Sequence, residues 1–255
     1  LFSIKDTLFI GKNFIQLDEV KSTNTFLQQI IQNTKLADGT VVSTFHQTHG
    51  RGHQESRWHG EKNRNISFSI LLYPDFLPAS RQFLLSMACS LGIADALYDH
   101  IGESFKIKWP NDIYFQEKKA GGLLIENSII GTQLKHSILG IGINVNQSTF
   151  PEDLPNPVSL KQLDGKDRDL YELIAALCAK IEDRYQQLRK REWAQIEADY
   201  VELLLGKDET RNFRDTSGAV FKGMITGVDE HGRLMMDVDG QVKLWDFKQI
   251  LMLLD

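Results

Sequence analysis

Two short islands in this chain combine permissive backbone with fixed positive charge. The first is Gly50-Arg51-Gly52, running on to Trp58; the second is Lys108-Trp109-Pro110-Asn111-Asp112, followed by Lys119-Ala120-Gly121-Gly122. Glycines let main-chain N–H groups approach an anion closely, and Arg51, Lys108 and Lys119 supply the charge that phosphate or carboxylate oxygens need once they leave water. Chemistry on a bound anion is the implied task. Plainer readings exist for each residue. Gly-Arg-Gly can be a tight turn with a solvated cation, Asn111 and Asp112 can cap a turn, and Lys119 can be a solvated turn lysine beside Lys118. The surroundings favour the site. Trp58 is a large ring in a polar stretch, where a nucleobase could stack, and Gly121-Gly122 at the mouth of a strand suggests that something approaches the backbone.

Composition bounds where this happens. The chain has 255 residues, 42% hydrophobic and 25% charged, enough for one large domain and one small one. A net charge of -5 argues against a dedicated nucleic-acid binder, so local clusters must hold the anion. Cys89 and Cys178 sit in apolar helical stretches and read as buried free thiols, which fits a reducing cytoplasm. The first ten residues lack an apolar stretch of signal-peptide form, and no later run approaches membrane-spanning length.

The elements that must position the islands follow from periodicity. Strands are expected at Phe14 to Val20, Thr40 to Phe45 and Asn65 to Leu72, the last half-buried, with Ile66, Phe68, Ile70 and Leu72 on its apolar face. Ser22 stands as the N-cap of a helix striped by Phe26, Leu27, Ile30 and Ile31. A polar loop spans His46 to Lys62. A long helix from Ser80 to His100 precedes strands at Phe105 to Lys108, Ile113 to Phe115, Leu123 to Asn127 and Ser137 to Val145, with a hairpin turn at Gly131. That reading leaves Lys119 in the connection between two strands. Trp109-Pro110 holds Asn111 and Asp112 at a strand end. Asn146 to Asn156 reads as a surface loop, and two helices follow, Leu170 to Leu188 and Trp193 to Leu205. Gly206 to Thr216 reads as a polar connector. Alternating segments at Val220 to Val228, Leu234 to Val238, Val242 to Trp245 and Ile250 to Leu253 then suggest a small all-β barrel.

Taken in order, Ser22-Thr23-Asn24, Gly50-Arg51-Gly52 with Trp58, Lys108 to Asp112, Lys119 to Gly122, and Gly140-Ile141-Gly142-Ile143-Asn144 resemble the motif set of biotin protein ligases. The resemblance implies an α+β fold: a mixed-sheet catalytic domain with flanking helices, class II synthetase-like, over residues 1–206, and an SH3-like β-barrel over 207–255. It implies a two-step ligase that uses ATP to convert biotin to biotinyl-5'-adenylate and then passes biotin to a lysine of the biotin carboxyl carrier domain of acetyl-CoA carboxylase or a related carboxylase. A lipoate or other short-chain acid ligase of the same fold is the nearest alternative. By the family's pattern Lys119, Arg51 and Asp112 are catalytic. Lys119 lies between carboxylate and α-phosphate, and Asp112 orients either the incoming lysine or a Mg²⁺-bound water. Ser22, Thr23, Asn24, Gln47, Arg51, Gly52, His53, Lys119, Gly121 and Gly122 fall at biotin-binding positions. Trp58, Lys108, Asn111, Asn144 and Lys119 fall at ATP-binding positions. No residue is assigned to a metal directly, since Mg²⁺ would arrive on the nucleotide.

The chain departs from the family where arginine and glycine usually repeat after Gly52. The run here is His53-Gln54-Glu55-Ser56-Arg57, with less positive charge and less backbone freedom, which leads us to expect a leakier adenylate. Trp245 is not followed by an arginine, so no nucleotide contact is assigned to the C-terminal segment. With the first motif at Ser22, a monofunctional ligase without a DNA-binding domain is expected, cytoplasmic and unattached to membrane; its oligomeric state is left open, a homodimer included.

Overall fold

The computed structural model describes residues 3–52 and 57–254. Its larger sheet has seven strands, built from β1 (Phe14–Leu17), β2 (Val41–Thr44), β5 (Ile66–Leu72), β6 (Lys106–Lys108), β7 (Asp112–Phe115), β8 (Lys118–Ile130) and β9 (Gln133–Ile143). Their spatial order is β1-β2-β5-β9-β8-β7-β6; β1 pairs parallel with β2 and every other neighbouring pair is antiparallel. The two-residue strands β3 (Gly50–Arg51) and β4 (Arg57–Trp58) form a separate ribbon above it.

Strand β5 is buried along its whole length, not on one face as its alternation suggests. One side, Ile66, Phe68, Ile70 and Leu72, joins the main core under α2 (Phe83–Ile101) and α4 (Leu170–Arg189). The other side is covered by α1 (Thr23–Ile30), where Leu71 meets Leu27, Val42 and Ile138 and Ser69 bonds to Thr23 and Asn24. Sequence alternation reports only which face is apolar; a second covering layer of small polar contacts leaves no period-two signature. Helix α2 is buried around most of its circumference because α4 packs closely over it. A Cβ at Gly92 would lie 2.6 Å from Ile181 Cα, so glycine sets the spacing of the two helices. Helix α4 also anchors the N-terminal segment. The buried carboxylate of Glu182 accepts the backbone N–H of Leu8, of Phe9 at 2.9 Å and of Ile10 at 2.7 Å.

Two short helices complete the α layer, α3 (Leu160–Asp164) and α5 (Trp193–Glu202). The first, held by a Ser159–Gln162 capping box, falls in a stretch to which the sequence reading assigned no element. The C-terminal segments form a five-stranded antiparallel sheet from β10 (Thr210–Asp215), β11 (Val220–Val228), β12 (Leu234–Val238), β13 (Gln241–Trp245) and β14 (Ile250–Met252), ordered β13-β12-β11-β10-β14. Strand β10 corrects the expected polar connector. Only Phe213 of its six residues is buried, and a strand that commits one side chain to the core carries almost no hydrophobic signal. No helix among the described residues is long and apolar enough to cross a membrane.

Candidate functional site

A cavity of about 530 Å³ opens between the large sheet, the β3–β4 ribbon, the loop before α3 and the C-terminal sheet. Around it the fold gathers Ser22, Thr23, Asn24 and Gln47 at one end. Arg51, Gly52 and Trp58 lie above, and Lys108, Asn111, Asp112, Lys119, Gly122 and Asn144 sit at the other end and floor. These are the side chains singled out in the sequence, drawn from seven separated segments. Gly121 is an exception. It faces away, where a Cβ would meet Gly142 O and the Ile143 side chain, because successive strand residues point to opposite faces. His53, Glu55 and Ser56 lie outside the described residues.

Lys119 occupies the start of β8, not a connection, and a β-bulge aims it. Asp112 pairs with Gly122 and Ile113 with Gly121, but Tyr114 pairs with Lys119, so Ala120 is the extra residue. Without that insertion Lys119 and Gly122 would take opposite faces; with it both line the cavity. Lys119 Nζ then reaches Asp112 Oδ1 at 2.7 Å. The pair lies over Gly122, whose added Cβ would come within 3.0 Å of Asp112 Oδ1 and 3.8 Å of Lys119 Nζ. That is the close approach that the double glycine signalled.

The lysine's main chain is equally fixed. Lys119 N–H donates to Asn156 O at 2.7 Å, and its carbonyl accepts from Val158 N–H at 2.9 Å and from Asn144 Nδ2 at 3.3 Å. Asn144 thus ties β8 to the loop before α3, with a second bond to Val158 O at 3.2 Å. Asn111 donates from Nδ2 to Leu123 O at 2.5 Å, holding the Trp109-Pro110 turn, a cis peptide, against β8. Asn144 Nδ2 spends both its donors on the protein and Asn111 Nδ2 one of its two, which leaves both side-chain oxygens and one Asn111 N–H available to a ligand.

Arg51, Arg57, Lys108, Lys119 and Lys248 face the cavity, against one carboxylate, Asp112, among the described lining residues. Lys108 is half-buried with its Nζ 5.3 Å from the Tyr114 ring centre. Burial holds its ammonium below the ordinary lysine value of 10.5, the like charge of Lys119 adds to this, and Asp112 opposes it. Trp58 lies flat over the sheet, where a Cβ at Gly142 would stand 2.5 Å from its Cε2. Its Nε1 is buried with no hydrogen-bond partner among the described residues.

At the other end Ser22 is the N-cap of α1, with Oγ accepting from Thr25 N–H at 3.5 Å, and still lines the cavity, so capping and site roles coexist. Gln47 is drawn in by the bridge between Val20 and Gln47, and its Oε1 accepts the Thr23 N–H at 2.8 Å. Sequence reasoning missed an apolar wall. The loop is at the surface as expected, yet Phe150, Leu154 and Pro155, with Pro157 just after it, also line the cavity; large apolar residues among prolines and acids were the available signal. It also missed Phe247 and Lys248, in the turn between β13 and β14, which reach the cavity because Phe247 stacks on Trp109 at 5.1 Å and Trp109 Nε1 donates to Gly232 O at 2.9 Å. No local pattern announces such a contact.

The arrangement, a cationic end beside a small polar cradle joined by an apolar channel, suits an elongated acid meeting a nucleotide phosphate. Comparison with known proteins agrees. The model of the biotin/lipoate A/B protein ligase family matches residues 17–144. The chain is 29% identical over 245 residues to the bifunctional ligase/repressor BirA of Bacillus subtilis, covering 95% of this chain and 74% of that protein. To the biotin--[acetyl-CoA-carboxylase] ligase of Mycobacterium tuberculosis it is 29% identical over 247 residues, covering 94% and 90%. Among solved structures, the biotin protein ligase from Aquifex aeolicus in complex with biotin and ATP superposes with a TM-score of 0.80 at 28% identity, covering 94% of this chain and 98% of that one.

Proposed function

This chain belongs to the biotin/lipoate A/B protein ligase family, and on that premise we propose that its cavity carries out both halves of biotin ligation. The protein activates biotin with ATP to biotinyl-5'-adenylate and transfers it to a carboxylase. A carboxylate is a poor electrophile and repels the phosphate it must join. The observation that carries the reading is the Lys119–Asp112 pair at 2.7 Å, a cation held in the cavity where this reading brings the two anions together.

The chain's own residues account for each requirement. Ser22, Thr23, Asn24 and Gln47 bind the ureido ring, and Arg51 with the backbone of Gly52 covers the acid chain and excludes water from the mixed anhydride. Lys119 exchanges its contact with Asp112 for the biotin carboxylate and the α-phosphate, and stabilises charge as it shifts between them. Lys108 faces the phosphates, Trp58 the adenine, and Asn111 and Asn144 offer their side-chain oxygens to the nucleotide. Freed from Lys119, the Asp112 carboxylate is the only one lining the cavity among the described residues, available to hold the acceptor lysine amine in the second step. One carboxylate beside phosphates also fits Mg²⁺ carried in by ATP, where the ion would neutralise phosphate charge.

The acceptor we assign is the lysine of a biotin carboxyl carrier domain, and the compartment is the cytoplasm, consistent with the two buried free thiols, Cys89 and Cys178. Residues 1–206 form the ligase unit in this reading and residues 207–255 a smaller unit that closes one side of the cavity through Phe247 and Lys248. DNA binding forms no part of the proposal. Biotin-dependent exchange of labelled pyrophosphate into ATP tests it. Exchange with biotin and not with lipoate is expected; exchange with lipoate alone, or none, overturns it.

A further inference from the structure

The strand face that presents Gly122 and Leu124 to the cavity continues to Glu126, just beyond its lining. Both oxygens of this carboxylate are used: Oε1 accepts from Arg51 Nη2 at 2.8 Å and Oε2 from Asn24 Nδ2 at 2.8 Å. From Asn24 the contacts run inward. Its Oδ1 accepts from the fully buried Ser69 Oγ at 2.6 Å, and the same hydroxyl lies 2.6 Å from Thr23 Oγ1. Thr23 in turn donates its backbone N–H to Gln47 Oε1 at 2.8 Å, and its hydroxyl lies 3.2 Å from the same oxygen. Gly140 makes room for this chain, since any Cβ there would collide with the Asn24 carboxamide.

An ionised carboxylate can only accept, and an amide nitrogen can only donate. With Glu126 at its end, Asn24 must turn its nitrogen to the carboxylate and its oxygen to Ser69, so the single Ser69 proton goes to Asn24 Oδ1 and the 2.6 Å contact between Ser69 and Thr23 is filled by the Thr23 proton. Thr23 thus spends its hydroxyl proton on Ser69 and its backbone N–H on Gln47 Oε1. What remains for the cavity is a lone pair on Thr23 Oγ1 and the N–H groups of Gln47 Nε2. An acceptor beside a donor complements the adjacent N–H and C=O of a cyclic urea. We propose that Glu126 is a positioning residue that fixes the direction of this hydrogen-bond chain through Asn24 and Ser69, and thereby the polarity with which Thr23 and Gln47 meet the ureido ring. This deepens the biotin reading and rests on it.

Two variants test it, neither at a cavity-lining residue. Glu126→Gln is nearly isosteric but its amide can donate to Asn24 Oδ1, which lets the carboxamide turn over and the chain reverse. Ser69→Ala cuts the chain at its centre without changing charge. In biotin-dependent pyrophosphate exchange by the full chain, each should raise the KM for biotin about tenfold, the scale of one lost hydrogen bond, while the KM for ATP stays within about twofold. Because both act through one chain, the double variant should lie within about threefold of the worse single. A biotin KM raised less than threefold by either substitution, a parallel rise for ATP, or a double variant that multiplies the two effects overturns the proposal. Wild-type protein that fails to exchange with biotin rejects the function itself, a separate outcome.

Discussion

Replacing Lys119 with alanine separates a chemical role from a structural one. The Lys119–Asp112 pair spans 2.7 Å with both side chains about one-third exposed, at 31% and 34%. Such a pair contributes about 0 to 1 kcal/mol to folding, so the melting temperature of Lys119→Ala should move by no more than about 2 to 4 °C. Catalysis should respond far more. Losing one preorganised donor at the developing charge costs about 2.7 to 4 kcal/mol, or about 10² to 10³ in the rate of adenylate formation. A second penalty comes from Asp112, left bare beside two anions. At about 4 Å and an effective dielectric of about 20 the repulsion is on the order of 4 kcal/mol, and screening at a part-exposed site reduces its effect to roughly tenfold. Lys119→Ala combined with Asp112→Asn removes that repulsion, and should recover at most about tenfold. Single-turnover formation of biotinyl adenylate, followed with pyrophosphate release, measures all three proteins. Full recovery in the double variant would make Lys119 merely the counter-ion of Asp112 and refute the reasoning; a single variant within threefold of wild type would do the same.

Lys108 gives a pH signature. Since burial and Lys119 hold it below 10.5, it loses its proton, and with it its hold on phosphate, earlier on the alkaline side than a free lysine would, so the KM for ATP should climb as pH rises through that lowered value. Lys108→Arg, which keeps its charge, should flatten the climb, and an unchanged alkaline limb would exclude Lys108 as its source. Glu182→Ala leaves the backbone donors of Leu8, Phe9 and Ile10 without their carboxylate, and should lower stability to denaturant by about 2 to 4 kcal/mol while leaving both substrate KM values unchanged. Denaturation midpoints matching wild type would show that water replaces the carboxylate at no cost.

Much of the architecture was written in local pattern. Helices α2 and α4, the β5 strand and the β8–β9 hairpin around Gly131 follow from periodicity and turn residues, which act within a few positions of one another. The β10 strand was misread, and the cavity-facing side chains from Phe150 to Pro157 went unread, for the opposite reason. Their side chains are ordered by what lies across the cavity or sheet, and not by their own neighbours in sequence.

The amino-acid sequence by itself determined the chemical inventory: cations and glycines at fixed spacing around Arg51, Lys108 and Lys119, and a polar trio beginning at Ser22. Only the tertiary structure decided how these meet. A one-residue bulge at Ala120 turned Lys119 toward Asp112, strand pairing carried Glu126 to Arg51 and Asn24, and docking of the C-terminal sheet on Trp109 brought Lys248 to the cavity. Residue type and spacing encode short-range conformational preference, whereas these contacts join segments far apart in the chain, where register and packing set which atoms face one another.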